Sequence, residues 1–327
     1  MSPRVTAIRP SRAIEGGRIV IEGTNFPVDG QRLPEVHIGG TSARVVRAEP
    51  SSLGVIVPGG LDGGSTPIRI EGLTRSTLFV DIAAPLATGL HQVDNPVFDR
   101  EGNLYVTYSG TRGQQVPVSI FKVRPNGTRE TFSSGIVNAT SMAVDDEGRL
   151  YVSSRFEGTV YRVAADGSFE TFATDLGIAC GLAFSKGGDL YVGDRSGTIF
   201  KVDQSGRAEA FATLPSSVAA FHLAIAPDGV IWVTAPTLSS YDPIYKVAPD
   251  GTVSTVDVKF GRPQGIAFNQ AGDAFVVDAL AGSSGVYRIG KDGAPELFLA
   301  GPGLIGLAFD SFGTMVVCSG ETAYRLK

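Results

Sequence analysis

Two cysteines, three histidines and one tryptophan are spread over 327 residues, and the basic residues form no block. Each scarcity excludes something. Cys180 and Cys318 alone build neither a disulfide framework nor a zinc centre. A nucleic-acid groove needs clustered lysine and arginine to neutralise phosphates, so a net charge of −5 with scattered cations disfavours that partner. No run approaches the roughly 18 apolar residues of a membrane-spanning helix. The opening MSPRVTAIRPSRAIEGG lacks the apolar core of an export signal. The chain as written is therefore expected in the cytoplasm, and outside it only if a signal precedes the sequence given. The 42 glycines and 19 prolines punctuate apolar runs, which is turn-rich globular sequence rather than disorder.

What the chain does have is a repeat. A glycine precedes an apolar strand in REGNLYV, DEGRLYV, KGGDLYV, PDGVIWV, QAGDAFV and SFGTMVV, at residues 102, 148, 188, 229, 272 and 313. The spacings are 46, 40, 41, 43 and 41 residues. A second phrase follows each anchor: IFKVRPNG, VYRVAADG, IFKVDQSG, IYKVAPDG, VYRIGKDG and, at the end, AYRLK. Asn-Gly and Asp-Gly supply the positive φ angles of tight hairpins. Each unit thus reads as four short strands, A to D, as in GLAF, LYVGD, TIFKV and AEAFA. Four strands in roughly 40 residues is the signature of a β-propeller blade. The last repeat stops after strand C, whereas STLFVDIA, residues 76–83, resembles a strand D without a blade. Residues 76–83 are therefore expected to complete the last of six blades and to leave no open edge.

Residues 94–327, about seven-tenths of the chain, resemble NHL-repeat propellers and those of the SMP-30/gluconolactonase superfamily, on phrases such as RPQGIAFNQAGDAFVVD and TSMAVDDEGRLYV. That resemblance speaks to fold; propellers host many activities. Residues 1–75 alternate differently, in GGRIVIEGTNF, VHIGGTSARVV and LGVIVPGG, and resemble an IPT/TIG domain, an Ig-like β-sandwich. The expected fold is all-β: an Ig-like module at 1–75 and a propeller at 76–327, with little linker and restricted motion between them. His37, in VHIGG, reads as an ordinary strand position.

The A–B and C–D turns are short and uniform, but the B–C connections are not. Residues 108–119, 235–243 and 279–285 are longer than SRFEG and DRSG in the second and third units. Variable loops on a constant scaffold are where binding resides. A site is therefore expected at the channel mouth, where the strand-A starts and B–C loops meet, with a protein or a small molecule as the partner.

Propellers of the gluconolactonase kind hold a divalent cation with a Glu, two Asn and an Asp at the strand-A starts. The resemblance places Asp94, Thr140, Cys180 and Phe221 at those positions. Ca²⁺ and Mg²⁺ need about six or more oxygen ligands, which a thiol and a phenyl ring do not give, so no metal site and no cofactor are expected. Cys180 has no local base and reads as a small buried hydrophobe; Cys318, in strand B, reads the same way. His91, in LHQVDNP, reads as a loop residue near Asp94. His222 reads as a mouth residue whose contact with Asp94 is unexpected across the channel. Arg262 and Gln264 are polar groups at the same rim. The cation in every strand C (Lys122, Arg162, Lys201, Lys246, Arg288, Arg325) belongs to the repeat, and Asp194 and Asp278 cap strand ends.

Three readings follow. The first is a non-catalytic propeller that binds at its mouth. The alternative is a lactonase-like hydrolase with a rebuilt or metal-free site around Asp94, His91, His222 and Gln264, the one reading under which Ca²⁺ or another divalent cation would enter. An adhesive module acting through its Ig-like domain is the third.

Overall fold

A computed structural model describes residues 3–28, 32–73, 78–219, 221–279, 283–290 and 293–326. Every regular element among them is a β-strand. In the N-terminal domain the strand Arg18–Thr24 alternates buried and open positions, as does Gly64–Ile70. Their inward residues, Ile19, Ile21, Ile68 and Ile70, close on Leu53, Val55, Val80 and Ile82 to form one core. Period-two alternation is what a half-buried sheet demands. His37 sits between buried Val36 and Ile38 and points to the outer face.

The repeats fold as antiparallel meanders. Four follow in order: Val97–Phe98 to Arg129–Ser133, Ala139–Val144 to Phe169–Ala173, Ala179–Phe184 to Ala208–Thr213, and His222–Ile225 to Val253–Phe260. These are blades 1 to 4. In every unit the anchor glycine has a positive φ, between +78° and +86°, and closes the A–B turn. That is the backbone only glycine adopts without cost. The repeated aromatics hold neighbours together: Tyr151 meets Phe184 of the next blade edge-on at 4.9 Å, and Trp232 meets Phe268 at 5.4 Å.

Two sequence expectations are corrected at the ring's seam. Residues 78–82, the described part of the expected closing strand 76–83, pair with Gly64–Ile70 and stay in the N-terminal domain. The strand that completes the last blade is Ala84–Thr88, which runs antiparallel to Thr322–Arg325 beyond Leu304–Phe309 and Met315–Ser319. Both segments alternate, but only the second reaches the free edge of the last blade. The sheets also divide differently. Among the described residues, five four-stranded sheets stand separately, where six were expected. The 263–300 meander, in fifth place, continues into the N-terminal sheet through Arg12–Ala13, which runs parallel to both Pro295–Ala300 and Leu78–Ile82. Ile14 donates its N–H to the Ala300 carbonyl at 2.9 Å, and the Tyr324 hydroxyl donates to Glu15 at 3.1 Å. The two domains thus share hydrogen-bonded sheet rather than a linker.

Four of the strand-C cations pair within their own blades, among them Lys201 with Asp189 at 3.0 Å and Lys122 with Asp99 at 3.8 Å, whereas Arg325 donates to the Pro125 carbonyl of blade 1 at 2.8 Å. Lys246 instead lies over the Trp232 ring at 4.4 Å. They belong to the scaffold.

Candidate functional site

The strand-A starts converge at one mouth of the channel, and their side chains are mostly spent on holding blades together. Asn95 follows Asp94 at the start of blade 1. Its amide donates to the Ile266 carbonyl at 2.8 Å and accepts from the Leu307 N–H at 3.0 Å, tying the first blade to the last two units. Thr140 is buried and donates to the Asn138 carbonyl at 2.7 Å. Phe221 is wholly buried and packs with Cys180 and Leu223.

Asp94 and His222 meet, contrary to the sequence expectation. His222 Nδ1 lies 2.5 Å from Asp94 Oδ1, with side-chain exposures of 0 and 2 %. The same carboxylate oxygen accepts the Asn95 N–H at 2.7 Å, so a hydrogen bond at the start of blade 1 aims it at blade 4. The outer ends of the pair, Asp94 Oδ2 and His222 Nε2, are buried without a hydrogen-bond partner among the described residues. His91, the histidine near Asp94 in sequence, instead packs edge-on against Tyr108 at 5.9 Å. Burial, and then the charge of Arg155, lowers its pKa below the usual value.

Above this floor lies a cavity of about 390 Å³ to which every unit contributes. Arg112, Arg155 and Arg195 come from the B–C corners of the first three blades. Ile178 and Cys180 come from the approach to strand A of blade 3 and from that strand itself; Val93, Ala219, Gln264 and Ile305 come from the other units. Arg262 is exposed and lies outside this lining, and among the described residues of the longer loops only those of 108–119 contribute. The loop at 279–285 falls partly on residues outside the described ones.

Two of the three arginine corners are held from behind. Asn138, itself at a positive φ of 49°, accepts the Gly113 N–H at 2.6 Å and donates to the Ser109 and Thr111 carbonyls at 2.6 and 2.8 Å. This clamps the loop that carries Arg112. Asp194 accepts the Ile178 N–H at 2.8 Å and the Ser196 N–H at 3.2 Å, which fixes the corner before Arg195. Burial, together with the charges of Arg195 and Arg112, lowers the Arg155 pKa. The trio and Asn138 are hard to read from sequence, because a repeat directs attention to what recurs. Arginine stands in SGTRG, SRFEG and DRSG of the first three units and has no counterpart in the other three.

Cys180 lines the cavity wall yet is only 1 % exposed. Burial pushes its thiol up to about 11, against a weaker opposing hydrogen bond from the Phe221 backbone. The raised value leaves little thiolate at neutral pH. The expected outcome with an aromatic disulfide reagent at pH 7.5 is no fast-reacting thiol in the native protein and two after denaturation. One equivalent modified within seconds would show an activated cysteine. Cys318 is fully buried, and burial raises its thiol further.

Comparison with known proteins agrees with this architecture. Residues 3–78 match the IPT/TIG domain model. The whole chain is similar to an auxiliary nutrient binding protein from Bacteroides ovatus, at 15 % identity and a TM-score of 0.58, covering 99 % of this chain and 98 % of that one. A gluconolactonase from Xanthomonas campestris is similar at 15 % identity and a TM-score of 0.63, over 74 % of this chain and 88 % of its own. A virginiamycin B lyase from Staphylococcus aureus follows at 12 % identity and 0.53, over 72 % and 95 %. Likeness at these identities establishes fold: an IPT/TIG domain and a gluconolactonase-like propeller. No curated protein matches the chain in sequence. Among the described residues no helix is long and apolar enough to cross a membrane.

Proposed function

We propose that this chain is a binding propeller that takes a small ligand, or a protruding group of a partner, into the mouth cavity. The observation that carries this reading is the cavity's construction: a concave space of about 390 Å³ on the propeller axis, walled by all units and lined by apolar and a few polar side chains. That is the composition and size of a small-molecule pocket, which typically falls in the range of about 300–1,000 Å³. The fold neighbours include proteins described as nutrient binding, which supports it.

This reading gives the chain no resident divalent cation. The four positions that would hold one carry a carboxylate whose Oδ1 is already bonded to His222 and the Asn95 N–H, a hydroxyl spent on a carbonyl, a thiol and a phenyl ring. Among the described residues, no three His, Cys, Asp or Glu side chains gather where an ion could sit. The hydrolase alternative draws on the buried Asp94–His222 pair, a His–carboxylate arrangement suited to proton transfer. Neither side chain lines the cavity, however.

The test is thermal unfolding against a library of sugars, organic acids, amino acids and nucleosides, run on the wild type and on Ile305→Trp, whose indole fills the mouth. A ligand at about 100 times its Kd adds about 2.7 kcal/mol. At least one compound is expected to raise the melting temperature of the wild type alone. Metal-dependent lactone hydrolysis above the buffer rate, or a library in which no compound separates the two proteins, would overturn the proposal.

A further inference from the structure

We propose that the mouth cavity is built for a small organic anion, with a carboxylate, phosphate or sulfate group held by Arg112, Arg155 and Arg195 and an apolar body against Val93, Ile178 and Ile305. This assignment rests on the mouth-binding reading and names its ligand class.

The charge balance of the cavity points that way. Among the described residues its lining contains three guanidinium groups and no carboxylate. The chain as a whole is acidic, at −5, so this is a local concentration against the general sign. Elsewhere arginines have acidic company: Arg149 lies 2.6 Å from Asp145 and 2.7 Å from Glu147, Arg124 lies 3.1 Å from Glu130, and Arg47 lies 2.7 Å from Glu49. Among the described residues, none of the three mouth arginines is within ion-pair distance of a carboxylate. Holding like charges together without a counter-ion costs stability, and an anionic guest reverses that cost.

The cavity is also prepared in advance. The clamp from Asn138 on residues 109–113 and that from Asp194 on residues 178–196 fix two of the three corners through the backbone, so little ordering remains for binding. A guanidinium presents a planar fork that matches carboxylate and phosphate oxygens in pairs. Among the described residues of the lining, the one uncharged polar side chain besides the Cys180 thiol is Gln264, an amide that suits a hydroxyl or carbonyl on the ligand's body. Apolar residues complete the wall, so a bare inorganic ion would leave most of it uncovered.

Phenyl phosphate, benzyl alcohol, benzylamine and inorganic phosphate are the probes, titrated by calorimetry into the full chain at about 50 and 300 mM NaCl. Phenyl phosphate is expected to bind saturably, more weakly at the higher salt, and not to bind Ile305→Trp. Benzyl alcohol and benzylamine are expected to bind at least tenfold more weakly, as is inorganic phosphate. Arg155→Met and Arg195→Met keep the apolar stem and remove the charge; each is expected to weaken phenyl phosphate at least tenfold. Their melting temperatures without ligand should equal or exceed the wild type's, which separates lost recognition from lost folding. Equal affinity for benzyl alcohol and phenyl phosphate, or unchanged affinity in both methionine variants, would overturn the assignment. If neutral library compounds bind the wild type but not Ile305→Trp while every anion fails, mouth binding survives and the anion assignment falls. If nothing binds, both fall.

Discussion

Truncating His222 to alanine is expected to lower the unfolding free energy by about 3–5 kcal/mol, the range for stripping a buried carboxylate of its hydrogen-bonding partner. The residue is wholly buried and so is Asp94, at 1 % exposure. With the imidazole gone, the carboxylate keeps only the Asn95 N–H on Oδ1, while Oδ2 is buried without a partner. A buried charge stripped of its partner pays most of its desolvation cost again. The loss should be read from the midpoint of guanidinium unfolding at constant slope. Replacing both residues, as Asp94→Asn with His222→Gln, should recover more than half of it, because the uncompensated charge is then absent. A loss below about 1 kcal/mol for His222→Ala would place the pair in the range of exposed ion pairs. It would then not be a tie across the ring.

The pair also marks where sequence reasoning stops. Asp94, Cys180, Phe221, His222 and Gln264 are legible as strand-A starts, because the repeat gives each a fixed offset from its anchor glycine. Which of them touch across the channel is not encoded by any offset. His91 is 3 residues from Asp94 and turns to Tyr108, whereas His222 is 128 residues away and reaches it. Local spacing cannot see a contact that exists only once the ring has closed. The closing strand shows the same limit. LFVDI, residues 78–82, has the stronger alternation and resembles other D strands, yet it pairs inside the Ig-like domain. APLAT, residues 84–88, contains a proline and no β-branched or aromatic apolar residue, yet it is the segment that closes the ring. Propensity was a fair guide to strand content and a poor one to partner, because pairing is decided by which edge lies within reach. The arginine trio was hidden for the opposite reason: it departs from the repeat.

The second large effect follows from how blade 1 is seated against the last blade. Gly306→Ala is expected to cost more than about 3 kcal/mol, at the top of the range for forcing extra atoms into a packed core. A Cβ there would lie 2.8 Å from the Asn95 Cα and 2.9 Å from the Asp94 carbonyl carbon, and closer still to the Asp94 carbonyl oxygen. These are backbone atoms, so no side chain can swing aside. Gly306 is the second glycine-bearing phrase of the pair QGIAF and IGLAF, and Gly265 of the first is as tightly filled, by the Asn95 side chain and the Gly306 Cα. The recurring glycine of strand A is thus a spacing requirement between neighbouring blades. An anchor-turn glycine makes the contrast: a Cβ at Gly148 meets nothing within 4 Å, so Gly148→Ala carries only the positive-φ penalty, about 1–2 kcal/mol. If both variants cost the same, crowding at the seam is not what Gly306 relieves. The seam also positions Asp94, since its backbone rests on Gly306. Displacing it should break the contact with His222, so Gly306→Ala and His222→Ala should not add. Combined, they should fall short of their sum by about 1 kcal/mol or more, the coupling of residues in one network. Additive losses would mean that the histidine holds Asp94 in place without help from the seam.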